Sequence, residues 1–531
     1  MNTSHRQLTT ILAALPLTWV TATNQEKPNI LCIVCEDISP ILGCYGDSVA
    51  VTPHLDTFSK EAIRYNMFTS VGVSAPSRYS LITGRYPSAD GANYMRTIGK
   101  EARPENIRPY SSMPEAGVRC FTEYLREAGY YCTNNNKTDH QFTTPPTAWD
   151  ECGVKAHWKN APDNVPFFSI FNLNVTHESQ VWVRTNKALS VSPNDVPIPP
   201  YYPDNEIVRH DIAVAYSNVT AMDKQFSVLV EELRESGKLD NTIIIYYSDN
   251  GGPLPRQKRA IYESGMLVPF MIRFPDGYRK GEHSNELVAF VDIPATILSL
   301  ANVKPNKTIH GTPFLGKYKE KERQYVYGAR DRMDAEVDKQ GCVRDAQYRY
   351  VRNYRERTVG YMPIKYRLQM PMMRNMLMLL EKGELNNTQA HWFTAKREKE
   401  EFYHTANDPH EINNLIHDPK YAKEIARLRK AYNKWDKKYN KYWHLSELEN
   451  LNRIQPQGSE PQVEKPEISI LKNGKIVAKC ATKGANIAYK KDMQQKSWTL
   501  YTEPFTVECP EKITFIATRI GYAQSEVSTI K

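Results

Sequence analysis

From residue 27 onward the chain alternates short apolar runs with stretches of helical period. NILCIVC (29–35) is apolar at nearly every position, as a strand covered on both faces requires, and PFFSIFNL (166–173) and TIIIYY (242–247) read the same way. Between them, HLDTFSKEAIRY (54–65), CFTEYLREAGY (120–130) and the long segment 207–236 repeat apolar residues at helical spacing. The alternation predicts an α/β domain with a mostly parallel central sheet and helices on both faces.

Beyond residue 325 the texture changes. RYVRNYR (349–355) predicts an amphipathic edge strand, and 420–443 a basic helix rich in aromatics. LQMPMMRNMLMLLEKGELN (368–386) concentrates methionine and is read as core packing, with a cleft wall as the alternative. A Pro- and Glu-rich connector, IQPQGSEPQVEKPE, precedes evenly spaced short strands that predict a small β-sandwich. The expected order is a catalytic α/β domain over 24–325, a smaller α+β subdomain over 326–452, a linker over 453–464 and the sandwich over 465–531.

Composition narrows this picture only slightly. A chain of 531 residues exceeds one ordinary core, and 40% apolar content suits a globular protein. The net charge of +9 comes without a dense basic block, so it points weakly to an anionic substrate and not to nucleic acid. Arg6, the apolar run 8–20 and small residues at 21–23 predict a secretory signal peptide over 1–23, with no lipid-anchor cysteine and no later membrane span. The expectation is an exported, periplasmic protein. The nine cysteines are spread thinly; Cys32 and Cys35 read as buried thiols, and pairing of Cys480 with Cys509 is left open.

Candidate chemistry gathers where apolar runs end, because ligands of open parallel sheets sit beyond the carboxyl ends of the strands. The first run ends in Glu36-Asp37 and TIIIYY ends in Ser248-Asp249-Asn250-Gly251-Gly252. Two acidic clusters from two strand ends predict an all-oxygen site for Ca²⁺ or Mg²⁺. PFFSIFNL leads to His177, and GYYCTNNN leads to Lys137 and His140. In VSAPSRYSLITGR (73–85), Pro76 marks a helix start with Ser74 just before it, where backbone N–H groups favour an anion, and Arg78 lies one turn on.

These residues resemble a known signature. Ser74-Ala75-Pro76-Ser77-Arg78, followed by Leu81-Ile82-Thr83-Gly84-Arg85, is similar to the C/S-x-P-S-R-x-x-L-L-T-G-R element of the formylglycine-dependent sulfatases. PNILCIVCED, TPHLDTFSKEAIRYNMFTS, SDNGG and EFYHTANDPHEINNL follow the family's order, so the resemblance covers about 27–445. It implies a fold of the alkaline phosphatase type, one Ca²⁺, and conversion of Ser74 to formylglycine by a serine-type maturing enzyme. It implies Glu36, Asp37, Ser74, Asp249 and Asn250 at the metal, Glu36 standing where the family has Asp. It implies Arg78 supporting the formylglycine, Lys137 and Lys258 on the sulfate, and His177 as general acid. The family's G-K-x-H element reads Asn136-Lys137-Thr138-Asp139-His140, leaving open whether Asp139 or His140 takes the histidine's place.

A finer resemblance is to the sulfamidase, or heparan N-sulfatase, branch, carried by VPIPPYYPDNEIVRHDIAVAYSNVTAMD and SDNGGPLPRQKRAIYESG. The tail from about 463 resembles the C-terminal module of chitobiase and hexosaminidase type. The implied reaction is hydrolysis of sulfate from an amino-sugar glycan such as a heparin fragment, the hydrated aldehyde supplying the attacking hydroxyl. The alternative is an O-sulfatase acting on other host or algal sugars. His140, His157, Trp158, Arg96, Lys258 and Arg330 are the candidates for contacting substrate. Two rivals are a phosphatase using unmodified Ser74 and an inactive sulfoglycan-binding protein.

Overall fold

The computed structural model describes residues 27–68, 71–99, 103–354, 359–492 and 494–530. The expected signal segment lies outside them. Among the described residues no helix is long and apolar enough to cross a membrane.

Twelve strands build the first two sheets: β1 (Asn29–Cys35), β2 (Ala62–Phe68), β3 (Tyr131–Asn135), β4 (Glu151–Cys152), β5 (Phe167–Leu173), β6 (Thr242–Ser248), β7 (Leu267–Arg273), β8 (His283–Ala289), β9 (Val326–Arg330), β10 (Gln340–Arg344), β11 (Tyr348–Asn353) and β12 (Glu400–His404). The first eight form one sheet in the order β4-β3-β5-β1-β6-β7-β2-β8. Within it β7 runs antiparallel to both neighbours, and the remaining pairings are parallel. A mostly parallel central sheet is what the sequence predicted. β1 and β6 are buried along their whole length, with separate apolar clusters on the two faces of the sheet.

The antiparallel β7 has a consequence for the site. Because β6 and β7 run in opposite directions, the connecting segment 249–266 never crosses the sheet and stays at the carboxyl end of β6. Its turns need glycine: a Cβ on Gly251 would sit 2.3 Å from the Ser264 carbonyl oxygen.

Three local expectations are corrected. HLDTFSKEAIRY is helical only at Pro53–Ser59; Ala62, Ile63 and Tyr65 belong to β2, where their side chains join the sheet's core. RYVRNYR forms β11, an interior strand in the order β12-β11-β10-β9 and not an edge. Its polar positions looked solvent-facing, but Arg349 is fully buried and paired with Glu263 and, at 2.5 Å, with Glu411. Finally, the helix Ser74–Thr83 starts at Ser74 itself, with Val73 as N-cap and Pro76 inside the first turn. A proline is tolerated there because first-turn N–H groups have no intrahelical partner.

The helix Ala422–Tyr439 lays Ile425, Leu428, Tyr432 and Trp435 on the second sheet. Trp435 stacks on Tyr327 at 5.1 Å and meets Tyr86 edge-on at 5.3 Å, tying the second sheet to the residue that follows Arg85. Met372, Met373 and Met376 of the helix Pro371–Glu381 pack against the helix Glu206–Glu235, matching the core-packing reading, while Met378 is exposed. In the tail, a two-stranded sheet (β13, Glu467–Ile470; β14, Ile476–Lys479) faces a four-stranded one (β15, Asn486–Lys490; β16, Thr499–Leu500; β17, Thr514–Thr518; β18, Ser528–Thr529) across Ile476, Ile513 and Phe515. FTVE contributes only a single bridge, from Phe505 to Ile476. Ile520 enters the core of the main sheet, and Arg126 donates to the Trp498 carbonyl at 2.7 Å, so the tail is docked on the main sheet's domain. Cys480 and Cys509 are free thiols.

Two outcomes are expected. Trp435→Ala should lower the unfolding free energy by about 3–5 kcal/mol, read by urea titration, through the cavity it opens. Burial, with a further push from Glu263, raises the Glu411 carboxyl from 4.5 to about 7 against the pull of Arg349. The folded state therefore holds this proton more tightly than the unfolded chain, and the stability so gained is complete below pH 4.5 and lost as pH rises through about 7. Melting curves of Glu411→Gln should show a flatter pH dependence across that window than the parent protein.

Candidate active site

The register of the central strands sets the site. Cys35 of β1 lies opposite Leu173 of β5 and Ser248 of β6, so the residues that follow, Glu36, Asn174 and Asp249, leave the sheet at one level. β3 adjoins β5 and releases its chain into a tight loop in which Asn136, Asp139 and Gln141 all have positive φ. That loop delivers Lys137. Asp37 itself sits at φ 51, a left-handed conformation that Asp tolerates better than most residues and that turns its carboxylate back into the site.

Asp37, Asp249, Asn250 and Ser74 meet at the floor, each no more than 1% exposed. Asn250 Nδ2 donates to Asp37 Oδ1 at 2.9 Å, and Ser74 Oγ to Asn250 Oδ1 at 3.1 Å. The backbone N–H of Asp37 points at Asp249 Oδ1 (3.3 Å), and that of Glu178 donates to Asp37 Oδ2 at 2.6 Å. Burial pushes the Asp37 carboxyl up; Lys258 opposes this, while the charges of Asp249 and Glu178 add to it. Two carboxylates crowded beside an amide and a hydroxyl oxygen form a donor set of the kind a hard divalent cation takes. Glu36 is turned elsewhere, so among the described residues no three His, Cys, Asp or Glu side chains converge on one point.

Cations surround this floor. Lys258 is fully buried between Asp37 Oδ2 (2.6 Å) and Glu178 Oε1 (3.4 Å); burial disfavours its charge, but the two carboxylates outweigh that and raise its pKa. Arg78 spans Asp249 Oδ2 (Nε, 3.1 Å) and Asn172 Oδ1 (Nη1, 2.6 Å), with Glu36 Oε1 at 3.8 Å. Lys137 meets Glu36 Oε2 at 2.6 Å. Burial acts against ionisation of Glu36, yet Lys137, Arg78 and His177 together hold its carboxyl below the usual range.

His177 faces the open side. Its Nδ1 accepts from the Ser179 backbone N–H (3.3 Å) and lies 2.9 Å from Ser179 Oγ, which assigns the neutral ring's proton to Nε2. Burial, then the nearby Lys258 charge, pushes its pKa down to about 3, so the ring is neutral at physiological pH.

Above the floor opens a cleft of about 780 Å³ whose lining includes Arg96, Arg103, His177, Glu178, Arg259 and Lys365. Of the sequence candidates, Arg96 reaches this cleft, where it pairs with Asp139 at 3.1 Å. Asp139, not His140, is the neighbour of Lys137, at 3.6 Å. His140 is buried behind it, with Nδ1 3.0 Å from Thr144 Oγ1, and so does not face the cleft. Arg330, expected at the substrate, is buried beneath the floor and bonded to Asp338 and to the Arg259 carbonyl. His157 and Trp158, suggested as polar or aromatic residues near the motifs, pack on Phe171 of β5, with His157 3.4 Å from Glu232.

Sequence reasoning passed over Glu178 and Arg259. They form a buried bidentate pair at 2.7 and 2.8 Å, and each directly follows a candidate, His177 or Lys258. Adjacency was the available signal, but only the fold brings together partners that stand 81 positions apart.

Comparison with known proteins agrees with this geometry. The Sulfatase family profile matches residues 28–303, and the C-terminal profile of N-sulphoglucosamine sulphohydrolase matches 256–369. The chain is 38% identical to an ulvan-active sulfatase of Formosa agariphila, over 95% of this chain and 91% of that one. It is 25% identical to human N-sulphoglucosamine sulphohydrolase, over 78% of this chain and 91% of that one. A solved protein bound to its substrate D-glucosamine-2-N,6-O-disulfate shares the fold, with a TM-score of 0.56 and 18% identity over 78% of this chain and 99% of that one. A family match that includes the Ser74 signature, and a relative 38% identical over 95% of this chain, settle the kinship: the chain belongs to the Sulfatase family.

Proposed function

We propose that this sulfatase hydrolyses sulfate from a glycan at the cleft floor, with Ser74 converted to formylglycine and Ca²⁺ held by Asp37, Asp249, Asn250 and residue 74. The observation that carries the reading is the hydrogen bond from Ser74 to Asn250 beside the Asp37 and Asp249 carboxylates, with Lys137, Lys258 and Arg78 around them. Water is consumed: the sulfur–oxygen or sulfur–nitrogen bond breaks, sulfur gains a hydroxyl oxygen, and the leaving group gains a proton. An aldehyde hydrate at position 74 supplies the nucleophilic hydroxyl, and a bound Ca²⁺ polarises sulfate oxygens and favours the deprotonated hydroxyl.

This chain's own side chains do the rest. Lys137 and Lys258 offer fixed positive charge to the sulfate oxygens in a site largely closed to water, where such charges act strongly. Arg78, locked by Asp249 and Asn172, keeps the floor in register. His177 presents Nε2–H to the leaving oxygen or nitrogen. The incoming sulfate brings negative charge that offsets Lys258, one cause of the depressed ring pKa, and so raises the ring's hold on a proton. Glu36 is proposed to act through Lys137, and its direct contact with the metal is not needed.

Ser74 is 1% exposed, so a serine-type maturing enzyme reaches it only before the chain folds. This timing suits an exported protein. A phosphatase using the bare serine is disfavoured because Ser74 Oγ donates its hydrogen bond to the Asn250 amide oxygen and not to a carboxylate.

Two substrates remain in play. The match of 256–369 to the N-sulphoglucosamine sulphohydrolase C-terminal profile supports an N-sulfated amino sugar, because that segment contains Lys258 and the cleft wall. The higher identity to a relative named for ulvan supports O-sulfate ester hydrolysis on an algal polysaccharide. Sulfate release should be measured side by side on N-sulfoglucosamine, O-sulfated amino sugars and ulvan oligosaccharides; release from O-sulfated sugars alone rejects the N-sulfate reading.

Two further outcomes are expected. The peptide containing residue 74, from protein matured in a serine-type host, should be lighter than serine by the two hydrogens an aldehyde lacks; a serine mass in fully active protein would falsify the mechanism. His177→Ala should lower kcat by about 10²–10⁴ on glycan substrates and much less on 4-nitrophenyl sulfate, whose leaving group needs little protonation.

A further inference from the structure

One wall of the cleft includes residues 363–366 and Gln369, which the reaction so far leaves without a task. It is anchored at two points. Ile364 packs in the apolar cluster that holds Val73 and Ala75, the neighbours of Ser74, and Arg367 donates to the Lys258 carbonyl at 2.7 Å. Between these anchors Lys365 and Tyr366 are exposed, Tyr366 by 39%. An aromatic ring held toward water on a fixed segment carries a hydration cost that a ligand could relieve.

The ring is braced. Its centroid lies 5.1 Å from that of Trp182, at an interplanar angle of 77°. Trp182 belongs to the helix Ser179–Val183, which begins just after His177 and Glu178. An edge-to-face contact fixes a ring without covering both faces of it. Ser179 acts on the Tyr366 hydroxyl, and Ser179 also sets the His177 tautomer, so the wall adjoins that segment.

A pyranose has an apolar C–H face and a polar rim, and an aromatic face with a nearby cation is complementary to one that also bears an anionic group. At about 780 Å³ the cleft has more room than a single sulfated sugar requires. The geometry points to a second sugar subsite: Tyr366, braced by Trp182, stacks on the sugar adjoining the one that loses sulfate, and Lys365 pairs with an anionic group on that neighbour. The inference rests on the glycan-sulfatase reading and adds that the enzyme takes charged oligosaccharides in preference to monosaccharides.

The test compares kcat/KM on matched monosaccharides and tetrasaccharides prepared from heparin and from ulvan, with 4-nitrophenyl sulfate as a reference. The parent enzyme should favour the tetrasaccharide of its substrate glycan. Tyr366→Ala should cut the ratio of tetrasaccharide to 4-nitrophenyl sulfate kcat/KM by about tenfold, mostly through KM, a change worth about 1.4 kcal/mol. Tyr366→Phe should keep that ratio, and Lys365→Met should lower it and weaken its dependence on salt. Equal parent values for monosaccharide and tetrasaccharide overturn the subsite. So does a Tyr366→Phe loss as large as that of Tyr366→Ala, which would put the role in the Ser179 contact. Turnover of 4-nitrophenyl sulfate without release from any glycan overturns the glycan reading itself.

Discussion

A set of charges kept out of water governs the architecture of this site. Lys258 is fully buried and survives as a cation only because Asp37 and Glu178 flank it; Asp249 is equally buried and faces Arg78. An unpaired charge in such a place would cost several kcal/mol, and breaking one buried pair costs about 3–5 kcal/mol. The ends of β1, β5 and β6 therefore cannot drift independently, because each carries part of another's compensation. The same arrangement is what a sulfate needs: fixed positive charge, little competing water and no reorganisation on binding.

That network extends well below the cleft floor. Arg259 closes on Glu178, Arg330 holds the Arg259 carbonyl and Asp338, and Arg397 pairs with Asp338 from the C-terminal part at 2.7 Å. Around the same loop, Arg256 donates to the carbonyls of His410 and Glu411, and the Glu263 N–H donates to Glu411 at 2.6 Å. The segment 249–266 is thus clamped from both sides. The second half of the chain contributes no residue to the floor, yet it sets the position of Lys258 and supplies one wall of the cleft.

Electrostatics also divide the labour within the floor. Burial and Lys258 keep His177 neutral, whereas Lys137 and Arg78 keep Glu36 ionised. A neutral imidazole and an ionised carboxylate thus lie 3.9 Å apart. The distinction comes from their surroundings, since both emerge from neighbouring strand ends at nearly the same depth.

Much of the fold and the floor of the site was legible from residue order. Apolar runs such as NILCIVC and TIIIYY must be strands buried on both faces, and the polar residues that end them have to lie at the sheet's carboxyl edge. Glu36, Asp37, Asp249, Asn250, His177 and Lys137 were therefore found from pattern, and Ser74 with Arg78 from a motif whose spacing a helix start explains. Other features could not be read this way. β11 looked like an edge because its arginines looked solvated; Arg330 looked free to meet substrate; Glu178 and Arg259 went unremarked; the pairing of Glu36 with Lys137 could not be foreseen. Each of these depends on a partner 62 to 101 positions away. Hydrophobic periodicity is local and survives in the sequence, so it determined the strands, their ends and the chemistry placed there. Which buried charge meets which is a property of distances through space, and the tertiary structure alone decided it.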